Sequence, residues 1–392
     1  MMTNKPRILL TDCWTRKTLS AVRSLGKAGY EVHTISHTLL APSIWSKYAT
    51  KHYIFPFPEE KPQEYLLKLI ELLKSTEFDC IYPMDEAATK IILQNRTEIE
   101  QYTMLPLPDI SVFDQANDKW AVLCLAKELH IPIPISFLPT TPNEIQNVIT
   151  QLGFPLIIKA RSSSGSRGVK RIETQADFDK HYPFIQQKYG NPILQQCIQW
   201  EGQGVGVGLL AKDGETLVHF SYKRLREYPV KGGPSTLRES TKQNDIIEYS
   251  HKLISKLGWH GVAMVEYKTD PTDGIPKLME INPRFWGSLQ LAQASGINFP
   301  DLLYRMMQNE TISQPEYTSA IRCRWLIPGD IVHFISNSKR FSLQPSFFSF
   351  FDKNTFFDQY DKEDKRGNIA VVLCTFLSIF NLRTWIMGIF RR

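Results

Sequence analysis

Residues 261–282, GVAMVEYKTDPTDGIPKLMEIN, constrain the fold of this 392-residue chain more than any other stretch. Two apolar runs flank the turn TDPTDG, which predicts an antiparallel hairpin. Side chains alternate along a strand, so Glu280 and Asn282 point one way while Ile281 points into a core. Glu266, in AMVEYK, falls within reach across the hairpin. Carboxylates gathered among apolar neighbours repel unless a cation sits between them. Oxygen ligands in that arrangement suit a hard divalent ion, and Arg284 just beyond adds a guanidinium matched to phosphate oxygens. The competing expectation is a polar strand end with acids exposed on an edge pair. The flanking AMV and LM argue for burial.

The front of the chain has a different rhythm. RILLTD (7–12), TRKTLSAVRSLGKAG (15–29) and YEVHTIS (30–36) read as strand, helix and strand, a unit of a parallel sheet. The turn DCWTRK has no glycine, so the dinucleotide-binding fingerprint is absent. EYLLKLIELLKSTE (64–77) predicts an amphipathic helix and DCIYPMD (79–85) a strand. Asp85 and Glu86 then lie at a strand's carboxyl end, where open α/β sheets place ligands, although a helix start favours acids in its own right. A helix follows at 118–130, with a domain boundary near 115. FPLIIKARSSSGSRGVKRI (154–172) predicts a hairpin with a mobile Ser/Gly tip, and the segments to residue 282 are strand-rich. The expected class is therefore α/β followed by mostly antiparallel α+β, with no internal repeat.

Bulk composition excludes more than it selects. Hydrophobic content of 42% and charged content of 22% are ordinary for a globular chain. The net charge of +6 comes without a Lys/Arg block and gives little support to nucleic-acid binding. Cysteines 13, 80, 124, 197, 323 and 374 are scattered without zinc-type spacing, which predicts free thiols in a reducing compartment. MMTNKPRILLTD lacks the apolar run of a secretory signal. The apolar tail 369–390 has only 12 residues before Asn381, and Arg383 would sit inside any longer span. A buried or partner-covered helix is expected there, with a membrane-surface anchor as the alternative. Residues 311–368 show weak periodicity and support no assignment.

Three further stretches carry candidate chemistry. In RSSSGSRG, small residues let backbone amides approach phosphate oxygens and Arg167 adds charge. The stretch is either such a cover or a solvated hairpin tip, and it is not a Walker loop. Lys159 ends the strand IIKA just before it, and a lysine in an apolar strand needs an anionic partner. ILQQCIQWEG (193–202) is either an edge strand or a linker holding a planar base, with Gln195 or Gln196 meeting an exocyclic amine. FSYKRLREYPVKGGPSTLRES (220–240) carries Lys223, Arg224, Arg226, Lys231 and Arg238. It reads either as a basic loop for an acidic substrate or as a solvated charged loop.

Taken in order, the glycine-less front domain, Asp118-Lys119, the IIKA lysine, the small-residue loop, QQCI, VEYK and EINPRFWGS resemble the ATP-grasp superfamily over roughly residues 7–300. The resemblance is in particular to its carboxylate–amine ligase-like branch. The resemblance implies an ATP-grasp fold with a parallel-sheet pre-ATP-grasp domain at 1–115 and a nucleotide-binding domain at 116–310. The small lobe would cover about 116–196 and the large lobe about 197–310, before a helical, aromatic-rich extension at 311–392. It further implies that Lys119 and Lys159 touch ATP phosphates, with Lys159 also near the adenine. Ser163 to Gly168, including Ser164 and Gly165, would fold over the β- and γ-phosphates. Gln196 and Ile198 would hold the adenine edge, and Glu201 the ribose. Glu266, Glu280 and Asn282 would bind Mg²⁺ or Mn²⁺, while Arg284 steadies the transferring phosphoryl group together with Lys159. Gln196 stands where many members carry an acid, and the run GQGVG lacks the glutamate that often contacts ribose.

The implied activity is ADP-forming ligation, in which a carboxylate becomes an acyl phosphate and is attacked by an amine or similar nucleophile. The implied setting is cytoplasmic, as a homodimer, with weak membrane contact through the tail and no nucleic acid. Alternatives are an ATP-binding regulator or scaffold, and a membrane-associated interaction protein. No residue stands out as a general base.

Overall fold

Four short parallel strands start the chain: β1 (Arg7–Leu10), β2 (Glu31–Ser36), β3 (Ala49–Ile54) and β4 (Cys80–Tyr82), in the order β3-β2-β1-β4. The computed structural model describes residues 5–163, 167–199, 202–230 and 232–379. Leu9, Leu10 and Ile81 are fully buried, as expected where helices cover both faces of a parallel sheet. The expected strand–helix–strand unit forms, with its helix at Arg16–Lys27 capped by the Thr15 side chain. The amphipathic helix runs Pro62–Ser75. The sequence reading missed β3 because ATKHYI is a mostly exposed edge with no apolar signature.

The hairpin expected at 154–172 also forms. β5 (Ser136–Phe137), β6 (Leu156–Lys159), β7 (Val169–Ile172) and β8 (Ile193–Gln196) make an antiparallel sheet in the order β5-β8-β6-β7. Leu156, Ile158, Ile172 and Leu194 pack there against Phe178 and Tyr182 of the helix Gln175–Tyr189. Lys159 ends β6 opposite Val169.

The largest sheet contains β9 (Gly204–Lys212), β10 (Glu215–Glu227), β11 (Ser235–Thr241), β12 (Gly261–Thr269), β13 (Pro276–Asn282), β14 (Arg322–Arg324) and β15 (Thr355–Phe357). Their order is β13-β12-β9-β10-β11-β14-β15. Along β9, GVGVG alternates two kinds of surface. Val205, Val207 and Leu209 enter a core with Ile246, Leu253 and Ile254 of the helix Asn244–Leu257. Gly206 and Gly208 point the other way. A Cβ at Gly206 would lie 2.9 Å from the Tyr222 ring, and one at Gly208 would run into the fully buried Trp286 ring. The glycines make room on that face for bulk from β10 and from the segment after β13. Trp286 and Phe299 then join Val22 and Leu25 of the first helix in one core, which fastens the parallel sheet to the large sheet.

Residues 311–379, opaque in the sequence, are tied down by buried acids. Asp330 accepts from Arg226 and Arg324, each at 2.6 Å. Asp358 pairs with Arg238 and, at 3.1 Å, with Arg16. Asp364 accepts from Arg23 at 2.8 Å and from the Ser46 hydroxyl at 2.7 Å. The two readings of 220–240 as a loop are corrected by this arrangement. Most of it is β10 and β11, where Lys223 pairs with Glu239 at 2.9 Å and Arg224 with Glu266 at 2.5 Å. Lys231 lies outside the described residues. The helix Lys365–Ile379 packs Ala370, Val371 and Cys374 toward residues 42–45. Among the described residues, no helix is long and apolar enough to cross a membrane.

Candidate nucleotide and metal site

Register decides the centre of the site. On the β12–β13 ladder Glu266 stands opposite Glu280, and Met264 opposite Asn282. The two carboxylates and the amide therefore share the glycine-lined face, while Ile281 is buried on the other side. Asn282 Nδ2 donates to Glu266 Oε1 at 3.3 Å. Each acid also meets a cation: Arg224 Nη2 lies 2.5 Å from Glu266, and Lys119 Nζ lies 3.4 Å from Glu280.

Two lysines reach this face from the smaller sheet and its neighbouring helix. Asp118 caps the helix Lys119–Glu128 by accepting from Trp120 N at 2.9 Å, which fixes where Lys119 begins. Lys119 Nζ also donates to the Ser163 carbonyl at 2.5 Å. Met279 is skipped by the β12–β13 pairing, leaving its carbonyl outside the ladder, and Lys159 Nζ donates to it at 2.8 Å. Burial pulls the Lys159 ammonium down to about 8, against the raising effect of Glu280. Burial would lift the Glu280 carboxyl, but Lys119 and Lys159 outweigh it and hold Glu280 below the usual range. Glu266 lies above its usual range because burial, reinforced by Glu280, overcomes Arg224.

The cover loop is partly described. Among the described residues the buried Ser163 hydroxyl has no hydrogen-bond partner, and Gly168, at φ +70°, accepts from Ala160 N at 2.8 Å. A Cβ at Gly168 would lie 2.7 Å from Ala160, so glycine is required for the hairpin to close. Ser164, Gly165 and Glu201 lie outside the described residues. Arg167 pairs with Glu59 of the front domain at 3.1 Å. On the linker, the Gln196 side chain accepts from Ile135 N at 3.3 Å, so it is engaged with its own sheet. Ile198 is buried, and its carbonyl accepts from Lys268 Nζ at 3.5 Å. Lys268 was missed in the sequence, although it falls two positions after Glu266 on the same strand face.

Arg284 turns toward the parallel sheet. Its Nε lies 3.1 Å from Asp85 and 3.4 Å from Glu86, the two acids expected at a strand's carboxyl end. Lys17 Nζ reaches Asp85 at 3.5 Å and the Phe285 carbonyl at 3.3 Å. Asp12 accepts from Asp85 N at 3.0 Å and from the Thr11 hydroxyl. Burial would lift Asp85, but Lys17 and Arg284 bring it to about 2; burial and Asp85 push Asp12 up to about 6. Asp12 and Lys17 were missed, although the rule that singled out Asp85 also applies to the end of β1.

Among the described residues, no three His, Cys, Asp or Glu side chains form a ready-made metal cage. The candidate set is two carboxylates plus the Asn282 amide oxygen. Its chemistry fits a hard cation, because Glu266 and Glu280 stand in register with mutual repulsion that a divalent ion relieves.

A family model described as "ATP-grasp in the biosynthetic pathway with Ter operon" matches residues 199–327. The carbamoyl phosphate synthase large chain of Gemmatimonas aurantiaca is 20% identical over 315 residues, covering 77% of this chain and 27% of that protein. The chain thus spans about a quarter or less of the curated relatives it matches. Among solved structures, the biotin carboxylase of Campylobacter jejuni superposes with a TM-score of 0.66 at 15% identity, over 80% of this chain and 74% of that one. N5-carboxyaminoimidazole synthetase from Staphylococcus aureus gives 0.63 at 15% identity, over 80% and 81%.

Proposed function

We propose that this chain, which has the ATP-grasp fold, is an ATP-dependent, ADP-forming ligase that joins a carboxylate to an amine or similar nucleophile. One observation carries the reading: Lys119 and Lys159 converge on β13 where Glu280 stands in register with Glu266. A carboxylate is a poor electrophile toward amines, and conversion to an acyl phosphate supplies a good leaving group. Such chemistry needs alignment and charge more than covalent participation by the protein.

In this reading Glu266, Glu280 and Asn282 hold Mg²⁺, or Mn²⁺ in its place. The ion supplies Lewis-acid stabilisation of phosphate charge when bound. Lys119 and Lys159 orient the phosphates as point charges, and their contacts with the Ser163 and Met279 carbonyls keep both ammonium groups aimed before nucleotide arrives. Ser163, Ser164, Gly165 and Gly168 cover the phosphates and exclude water. Ile198 and Gln196 hold the adenine edge through the linker, and Glu201 the ribose. Arg284 lies beside Asp85, Lys17 and Asp12 at the carboxyl end of the parallel sheet, where the carboxylate and nucleophile would meet. A homodimer in the cytoplasm, without nucleic acid, completes the proposal.

The test is an ADP-release screen with pooled amino acids and small carboxylates, with products identified by mass spectrometry. Magnesium-dependent release that needs both an acid and an amine is the expected result. Tight ATP binding with no turnover across the panel would replace the ligase reading with a nucleotide-binding regulator.

A further inference from the structure

The helix Lys365–Ile379 is apolar on two sides, and among the described residues one side is buried while the other stays about half exposed. Ala370, Val371 and Cys374 are buried, whereas Ile369, Val372, Leu373, Phe376 and Leu377 are between 48% and 60% exposed. Those five positions follow the i, i+3, i+4, i+7, i+8 spacing of a single stripe. The helix packs near residues 326–330, which lead directly into the helix Ile331–Ser336. There Phe334 holds the rings of Phe341 and Phe348 edge-on, each with centroids at 5.6 Å. Phe341 is 80% exposed and Phe351 fully so. Phe341 and Phe348 are presented outward by a packed aromatic base.

Charge is sorted across the same segment. Four of its five acids meet cations, among them Asp352 with Arg322 at 2.9 Å and Asp361 with Lys27 at 2.5 Å, while the fifth, Glu363, is exposed and accepts from the Tyr48 hydroxyl at 2.9 Å. Asp358 and Asp364 are the buried clamps described above. Lys339, Lys353, Lys362, Lys365 and Arg366 are exposed, and among the described residues none takes part in an ion pair. The exposed side chains of this segment are therefore aromatic, aliphatic and positive. A protein interface core is depleted in lysine, and no described helix is long enough to span a bilayer. Aromatic rings at headgroup depth, an apolar stripe lying in plane and lysines reaching up to phosphates describe an interfacial contact.

We propose that the outer face of residues 331–379 docks on an anionic lipid bilayer surface, holding the nucleotide-binding body against it. The sequence beyond has the same composition, with Trp385, Ile386, Ile389 and Phe390 among Arg383, Arg391 and Arg392.

Flotation of the full chain with vesicles of phosphatidylcholine alone, and of phosphatidylcholine mixed with phosphatidylglycerol, tests this. At least about tenfold more protein should float with the anionic vesicles, and added salt should reduce the difference. The paired variants Phe348→Ser/Phe351→Ser and Lys365→Glu/Arg366→Glu should each lose about tenfold of that binding. Their thermal melts verify that both remain folded. Absence of flotation, equal flotation with neutral vesicles, or undiminished binding by both variants would overturn the proposal. So would a lipid-free dimer, seen by light scattering, that the phenylalanine variants dissociate, since it would give this face to a second copy of the chain.

Discussion

Glu266 and Glu280 face each other across the β12–β13 ladder, yet each is balanced from a different part of the chain. Arg224 reaches Glu266 along the large sheet, whereas Lys119 reaches Glu280 from the start of the helix Lys119–Glu128. The pair is therefore where charges from separate segments of the chain meet.

Glu280→Gln keeps shape and removes the charge facing both lysines. ADP release should fall at least about 100-fold, as for loss of a preorganised transition-state group. Thermal melting should stay within a few degrees of the parent. Unchanged magnesium-dependent turnover would show that the acid pair is not the metal site.

Lys159 gives a pH signature with opposite signs for folding and binding. Burial lowers its pKa from 10.5 to about 8. Between those values the unfolded chain holds the proton that the native state has lost, so stability rises with pH through that window. Below about 8 the burial penalty is present in full. Phosphate contact needs the ammonium, so kcat/KM for ATP should fall as pH rises above about 8. In Lys159→Met that alkaline limb should vanish from whatever activity remains.

Removing Arg224 leaves Glu266 as a half-compensated charge in a largely buried place. Arg224→Met should cost about 2–3 kcal/mol in chemical denaturation, and adding Glu266→Gln should recover much of that loss. Additive losses in the double variant would mean that the ion pair is not the source.

Gly208→Val places side-chain atoms where the Trp286 ring sits. Overpacking should cost about 1–3 kcal/mol and displace the segment that carries Arg284. Circular dichroism melts and ADP release should both register the change, while Gly274→Ala, on an open turn, should affect only the melt.

Asp364→Asn removes the buried anion that holds Arg23 and Ser46. A loss of about 3 kcal/mol is expected, with faster proteolysis at residues 361–379 than elsewhere.

The hairpin containing Glu266 and Glu280 was legible because strand alternation is a local property that two apolar runs and a turn display directly. The Lys159 hairpin was legible for the same reason, and the front strand–helix–strand unit from its spacing, whereas the exposed edge strand β3 was not. Asp12 and Lys17 had the local signal of a strand's carboxyl end, but that signal does not name Arg284 or Asp85, their neighbours only after folding. The glycines of GVGVG were visible as residues, but the Tyr222 and Trp286 rings they admit come from distant segments.

The sequence alone determined that Glu280 and Asn282 share a face of one hairpin strand and that a strand ends in Lys159, because the period of a strand depends only on its own backbone. The tertiary structure alone decided which charges meet. Folding pairs residues as far apart in sequence as Arg23 and Asp364, or Arg224 and Glu266. This pairing depends on register and on core packing, where the apolar contacts of the whole molecule settle the position of each charged group.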